Sequence, residues 1–282
     1  MPFVAILGAG ELGATTARAL AGRGLVGEVR LIDEAADVAA GKALDIQQAG
    51  VLDGSSSRVV GSGDVTAAVG AAAVLVADRV SPPGDIAGGD GLALIRRLVD
   101  VDRDATIVCV GAAQQELLER GLRDLPVRRS RLLGSAAEAM ALALRAIVAV
   151  EADVSPAVVM LTVLGRVPHG VVVPWRDATI AGRPLVRVLE PAQMARLERR
   201  AALIGPPGPY ALAAAAARVG EMLVLGSRKI VCCTTLLEGE FGVHRAVGSL
   251  PVVLGRGGIV RVVAPPLDVR EQVLLENALR QG

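Results

Sequence analysis

Aromatic residues are nearly missing from this chain: two phenylalanines, one tryptophan and one tyrosine make up 1% of it. A platform for stacking nucleic-acid bases is therefore not expected. Charge of one sign is missing too. The formal net charge is +1, which gives no reason to expect a nucleic-acid partner or an anionic membrane surface. Cysteine is scarce, and Cys109, Cys232 and Cys233 have no metal-type spacing. All three lie in apolar, strand-like runs, so they read as buried, inert thiols in a reducing compartment, with no metal. Histidine is limited to His169 and His244, which narrows the search for a general base. No apolar run reaches membrane-spanning length, since the longest candidate, 136–150, carries Glu138 and Arg145. The chain opens directly on a strand-like run with no visible signal peptide, so a cytoplasmic location is expected. No internal repeat and no disordered linker is visible.

What is present is a long apolar chain. It has 282 residues, 52% of them hydrophobic, with a mean hydropathy of +0.51. That is enough for one large or two modest domains with a full core. Residues 3–7 form a continuous apolar run, as expected for a strand covered on both faces. Gly8, Gly10 and Gly13 follow in a G-x-G-x-x-G pattern, with Glu11 and Leu12 inside it. The first glycine permits the tight turn, the second lets backbone approach a pyrophosphate, and the third lets the following helix pack closely. A helical stretch, 14–21, and a second strand, 28–32, come next, and that strand ends in Asp33. An acidic residue about 20 positions after the glycines is placed to bond a ribose 2′-hydroxyl and to repel the 2′-phosphate of NADP, which favours NAD. The alternative is a βαβ unit whose turn holds no ligand.

Strand and helix signals then alternate. Helices are expected at 36–49, 92–101 and 114–123, strands at 58–60, 73–77, 106–110 and 131–133, and a loop at 79–91. This alternation predicts a doubly wound parallel sheet of Rossmann type. A long helix, 136–150, leaves it. After that the chain changes character. Short strands are expected within 158–164, 171–175 and 179–180, helices at 191–203 and 210–225, and strands at 230–237, 251–254 and 259–263. A closing helix, 268–280, is expected to be capped by Asp268 with Glu271 at its third position. The expected organisation is a dinucleotide-binding domain over 1–140 and a mixed α+β substrate-type domain over 141–282.

At this level the chain resembles the lactate/malate dehydrogenase family, the malate dehydrogenase branch more closely. Three stretches carry the resemblance: 8–16 with Asp33; Gly41-Lys42-Ala43-Leu44-Asp45; and Leu237-Glu238-Gly239-Glu240-Phe241-Gly242 followed by residues 251–258. The resemblance implies NAD, a small-molecule 2-hydroxy-acid substrate and a homo-oligomer. It also implies a histidine base held by an aspartate, an arginine paired with the substrate carboxylate, and a lid carrying further arginine.

Matched position by position, those catalytic residues are missing. Ser81 and Ala87 stand where the lid arginines belong, Gly111 and Ala112 replace an asparagine-proline pair, and Met140 and Ala143 replace the aspartate and the carboxylate-binding arginine. Glu138 and Arg145 each lie two positions away, roughly 200° round the helix. Arg79 reads as a displaced remnant or a solvated loop charge. His169 is the one candidate catalytic residue, and it aligns only with an insertion; a gap-free match puts Val167 there. Asp78-Arg79 replaces small residues beside the dinucleotide, and a carboxylate facing pyrophosphate costs affinity unless Arg79 offsets it. An unpaired buried charge costs about 2–5 kcal/mol, and a positioned acid/base is worth on the order of 10²–10⁴ in rate. The expectation is therefore an NAD-binding relative that has lost ordinary 2-hydroxy-acid oxidation, serving as a redox sensor or a subunit of an assembly. Two alternatives stand beside it: an active NAD-dependent oxidoreductase with a rearranged site or a substrate lacking a carboxylate, and a structural oligomer without cofactor.

Overall fold

The structure is a computed structural model that describes residues 2–280. Its first half alternates strand and helix: β1 (Phe3–Leu7), α1 (Glu11–Gly22), β2 (Glu28–Ile32), α2 (Ala36–Leu52), β3 (Arg58–Ser62), β4 (Ala73–Val76), β5 (Asp78–Arg79), β6 (Gly84–Asp85), α3 (Gly88–Val101), β7 (Ile107–Cys109), α4 (Gln115–Asp124), β8 (Leu132–Gly134) and α5 (Ala136–Ala152). Strands β3-β2-β1-β4-β7-β8 run parallel in that order. The order reverses between β1 and β4, which opens a crevice beyond their carboxyl ends.

Side-chain alternation along these strands explains why both faces are covered. Val4, Ile6, Val29, Leu31 and Leu75 pack on one side with Ala17 and Leu20 of α1 and Ile46 of α2. Ala5, Leu7, Val74, Val76 and Ile107 pack on the other with Ile95 of α3 and Leu117 of α4. The near-continuous apolar runs are what a doubly covered parallel sheet requires.

The second half comprises β9 (Val159–Met160), β10 (Leu164–Gly165), β11 (Val171–Val172), β12 (Thr179–Ile180), β13 (Arg183–Pro184), α6 (Leu185–Val188), α7 (Pro191–Ala202), α8 (Pro209–Leu225), β14 (Ile230–Glu238), β15 (His244–Gly255), β16 (Gly258–Val262) and α9 (Val269–Arg280). One sheet runs through both halves: β14 joins the edge of β8 antiparallel, through Thr234 opposite Gly134, and β15, β10 and β11 extend it. Alanines 213, 215, 216 and 217 of α8 are buried, and such small residues let a helix pack closely. The box expected on α9 is present. Asp268 Oδ1 accepts from Glu271 N at 2.9 Å, and Glu271 Oε2 accepts from Asp268 N at 2.9 Å.

Three stretches differ from the sequence expectations. Residues 79–91 are not all loop, because β5 and β6 form a short hairpin and α3 begins at Gly88. The strand expected at 158–164 is split into β9 and β10, which pair in different sheets. The strand expected at 251–254 starts as early as His244, pairing along β14. No helix among the described residues is long and apolar enough to cross a membrane.

Candidate functional site: the glycine turn and its cleft

The glycine turn lies at the crevice, between the carboxyl ends of β1 and β4. Gly8 holds a φ of +97°, which favours glycine, and its N–H donates to Ile32 O at 2.7 Å. A Cβ at Gly13 would collide with the Gly8 carbonyl oxygen, so this glycine is required for helix and turn to meet. Glu11 opens α1 and is exposed, while Leu12 is buried. Lys42 of α2 reaches back and donates to Ala9 O at 2.6 Å and Gly10 O at 3.3 Å.

The first backbone N–H groups of a helix lack partners within it, and here a side chain from β5 meets them. Asp78 Oδ2 accepts from Leu12 N at 3.0 Å, and Oδ1 accepts from Gly13 N at 2.7 Å. The Asp78 main chain closes the same contact, its carbonyl accepting from Gly10 N at 3.0 Å. Asp33 is buried at the end of β2. Its Oδ2 accepts from Ala9 N at 2.9 Å and Val80 N at 3.2 Å, and its Oδ1 from Ala35 N at 3.0 Å. It thus ties together the turn, its own loop and the β5–β6 hairpin. Beside it lies a cavity of about 570 Å³, lined by Gly8, Asp33, Glu34, Arg79, Ser81 and Arg97 among others. The structure therefore brings Gly8, Gly10, Leu12, Gly13 and Asp33 together, with Glu11 at the rim.

The hairpin carries a second carboxylate, Asp85, which is exposed. Asp85 pairs across from Asp78, and a Cβ at Gly111 would strike its carboxylate. Although Asp85 is exposed, crowding against Gly111 partly desolvates its carboxylate, and this, then the Asp78 charge, raise it above its ordinary value, against the pull of the Ala113 N–H. Buried Gln114 fixes the base of the hairpin. Its Nε2 donates to Ile86 O at 2.9 Å and Ala77 O at 3.4 Å, while its Oε1 accepts from Gly111 N at 2.8 Å.

Three arginines that could meet a substrate carboxylate each pair with an acidic side chain. Arg79 Nη1 pairs with Asp90 at 3.1 Å, so it does not offset Asp78. Arg145 lies 3.8 Å from Glu138 and donates to Leu161 O at 3.4 Å. Arg166 pairs with Glu119 at 2.8 Å. Met140 has no exposed surface, and Ser81 is exposed at the hairpin turn. His169 is exposed in the turn between β10 and β11, and its ring enters no hydrogen bond or ion pair among the described residues. His244 is exposed at the start of β15. Cys109, Cys232 and Cys233 are buried and free, with burial pushing Cys109 and Cys232 up to about 12. No metal-binding cluster occurs among the described residues.

No protein-family model matches the chain. A malate dehydrogenase from Dehalococcoides mccartyi (strain CBDB1) is 28% identical over 293 residues, covering 98% of this chain and 95% of that protein. A malate dehydrogenase structure from Salinibacter ruber superposes with a TM-score of 0.84 at 25% identity, over 99% of this chain and 94% of the other. The chain is thus similar, along nearly its whole length, to proteins of the lactate/malate dehydrogenase family. The fold of a lactate dehydrogenase from Cryptosporidium parvum, solved with lactic acid and NAD, agrees equally well, with a TM-score of 0.86 at 20% identity over 99% of this chain and 95% of that one.

Two features were missed from sequence. Asp85 and Gln114 are placed by the register of the hairpin and by its buried bracket, and no local pattern marks either. Asp78 stood out as a charge among small residues, but its docking onto α1 depends on an approach across 66 positions of chain.

Proposed function

We propose that this chain is an NAD(H)-binding, malate-dehydrogenase-like protein that has lost ordinary 2-hydroxy-acid oxidation. Its malate and lactate dehydrogenase relatives, one solved with NAD, support an NAD-dependent oxidoreductase scaffold. The observation that carries the loss is that Arg79, Arg145 and Arg166 are each engaged by another group, so none is free to clamp a carboxylate.

In this reading residues 1–140 hold the cofactor and residues 141–282 form the substrate-facing part. The backbone of Gly8, Gly10, Glu11, Leu12 and Gly13 would meet the pyrophosphate, Asp33 a ribose hydroxyl, and the cavity beside Asp33 the adenosine. The fit is incomplete at the pyrophosphate, where Asp78 stands. A bound nicotinamide supplies a hydride acceptor. The chain's own residues must then hold the substrate and take its hydroxyl proton. An imidazole without a carboxylate partner is poorly oriented for that, and among the described residues His169 has none. A substrate carboxylate would stay unpaired in an apolar cleft, which is unfavourable.

A second reading, an active oxidoreductase for a substrate lacking a carboxylate, draws support from Asp85. Its raised carboxyl beside Gly111 is a candidate proton acceptor. A homo-oligomer and a cytoplasmic location complete the proposal.

Calorimetry with NADH and NADPH tests the dinucleotide reading. NADH should bind more tightly, because Asp33 would face the 2′-phosphate, and Asp33→Ala should narrow the gap. Equal affinities for the two, or none for either, would overturn it.

A further inference from the structure

We propose that Asp78 is a resident anion in the pyrophosphate seat of the glycine turn, and that this residue sets how tightly the cleft takes a phosphorylated ligand. The inference rests on the dinucleotide reading and concerns how that site is controlled.

A glycine turn receives a phosphate through two provisions: unpartnered backbone N–H groups at the helix start, and open space over the second glycine. Asp78 uses both. Its two carboxylate oxygens each take one N–H, from Gly13 at 2.7 Å and from Leu12 at 3.0 Å. The space that Gly10 leaves is filled by the same group, since a Cβ there would collide with Asp78 Oδ2 and Cγ. A carboxylate at a helix N-terminus is favoured by the helix dipole, as a phosphate would be, so the two compete for one place.

The main chain holds Asp78 in position. Gly10 N donates to its carbonyl, Ala77 N donates to Leu7 O at 2.9 Å, and Ile86 N returns to Ala77 O at 2.9 Å. Gln114 clamps the same two residues, Ala77 and Ile86, from the other side. The neighbouring cation does not release it, because Arg79 is turned to Asp90. A phosphate must therefore displace a charge-assisted cap and then lie beside the displaced carboxylate, with Asp85 as a second negative group on the hairpin. The cavity beside Asp33 lies outside this contact, so the competition is confined to the phosphates.

The test uses the full-length protein with Asp78→Ala and Asp78→Asn. Thermal unfolding is followed with inorganic pyrophosphate, and NADH affinity is read by calorimetry. Asp78→Ala should melt lower than the wild type without anion. Pyrophosphate should restore it while leaving the wild type unmoved. NADH should bind Asp78→Ala at least tenfold more tightly than the wild type, and Asp78→Asn by a smaller factor. If Asp78→Ala does not fold, Asp78→Asn, which keeps the shape and one acceptor, carries the comparison alone. Equal NADH affinity in the wild type and the variant, or equal stabilisation of both by pyrophosphate, would overturn the inference and leave the dinucleotide reading standing. Pyrophosphate stabilising only the variant, with NADH binding neither, would uphold the resident anion and remove the dinucleotide reading.

Discussion

Glu138 of α5 has no exposed surface, yet it faces two arginines. Arg218 Nε lies 3.2 Å from its carboxylate and Arg145 Nη1 3.8 Å, and its Oε2 accepts from Cys232 N at 3.0 Å. Removing one partner of such a group leaves uncompensated charge, at a cost of about 3–5 kcal/mol. Arg218 is a third exposed, so Glu138→Ala should fall at the lower end of that range, measured by urea unfolding. Burial raises the Glu138 carboxyl above its ordinary value, with Arg145, the Cys232 N–H and Arg218 pulling it back. A folded value above the unfolded one means the folded state binds more protons between the two. Its contribution is therefore in place below the ordinary glutamate range and is lost as pH rises through the folded value. The stability of the wild type relative to Glu138→Gln should decline over that window, and a flat difference would contradict the assignment. The sequence placed Glu138 and Arg145 off the catalytic face, and seven positions apart they share one side of α5, whereas the Cys232 N–H that Glu138 also accepts comes from β14, 94 positions away.

At the scale of elements, two glycines in helices have opposite expected effects. Alanine is favoured over glycine inside a helix by about 0.8–1.0 kcal/mol. At Gly41 of α2 nothing lies within 4 Å of an added Cβ, so Gly41→Ala should stabilise by about that amount. At Gly13 the added carbon meets the Gly8 carbonyl oxygen, and forcing a shift in packed backbone costs about 1–3 kcal/mol. Gly13→Ala should therefore destabilise, and differential unfolding of the two variants checks both signs. Element order was largely legible, because period-2 and period-3.6 apolar patterns are local properties of the chain. The hairpin at 78–85 was hidden by Pro82, Pro83 and Gly84, which read as loop. The start of β15 was hidden because its first residues, His244 to Ala246, are not buried and carry no apolar alternation. The candidate site was legible where it is written in residue type, the structure bringing Gly8, Gly10, Gly13 and Asp33 to one turn. It was illegible where it depends on which strand ends meet.

For the whole molecule, the exposed face of α2 bears on assembly. Leu44 is 58% exposed and Val51 75%, and at seven residues' separation the two share one helix face. Together with a 52% hydrophobic composition, this supports the proposed homo-oligomer. Light scattering at micromolar concentration should give a mass above 28.8 kDa, and a monomer would contradict it. The same scale sets the relation between scaffold and chemistry. The dehydrogenase architecture is kept along nearly the whole chain, with 98% of it aligned to a malate dehydrogenase. On that scaffold Arg79, Arg145 and Arg166 each pair with an acidic side chain, and the proposed loss of 2-hydroxy-acid oxidation rests on that pairing.

The most direct measurement is malate-dependent and lactate-dependent reduction of NAD by the purified wild type and by Asp78→Ala. The account predicts no turnover above background in either protein, even where Asp78→Ala binds NADH tightly. Robust NADH formation with malate or lactate would contradict it, and would mean that Arg79, Arg145 or Arg166 leaves its present partner to bind the substrate carboxylate.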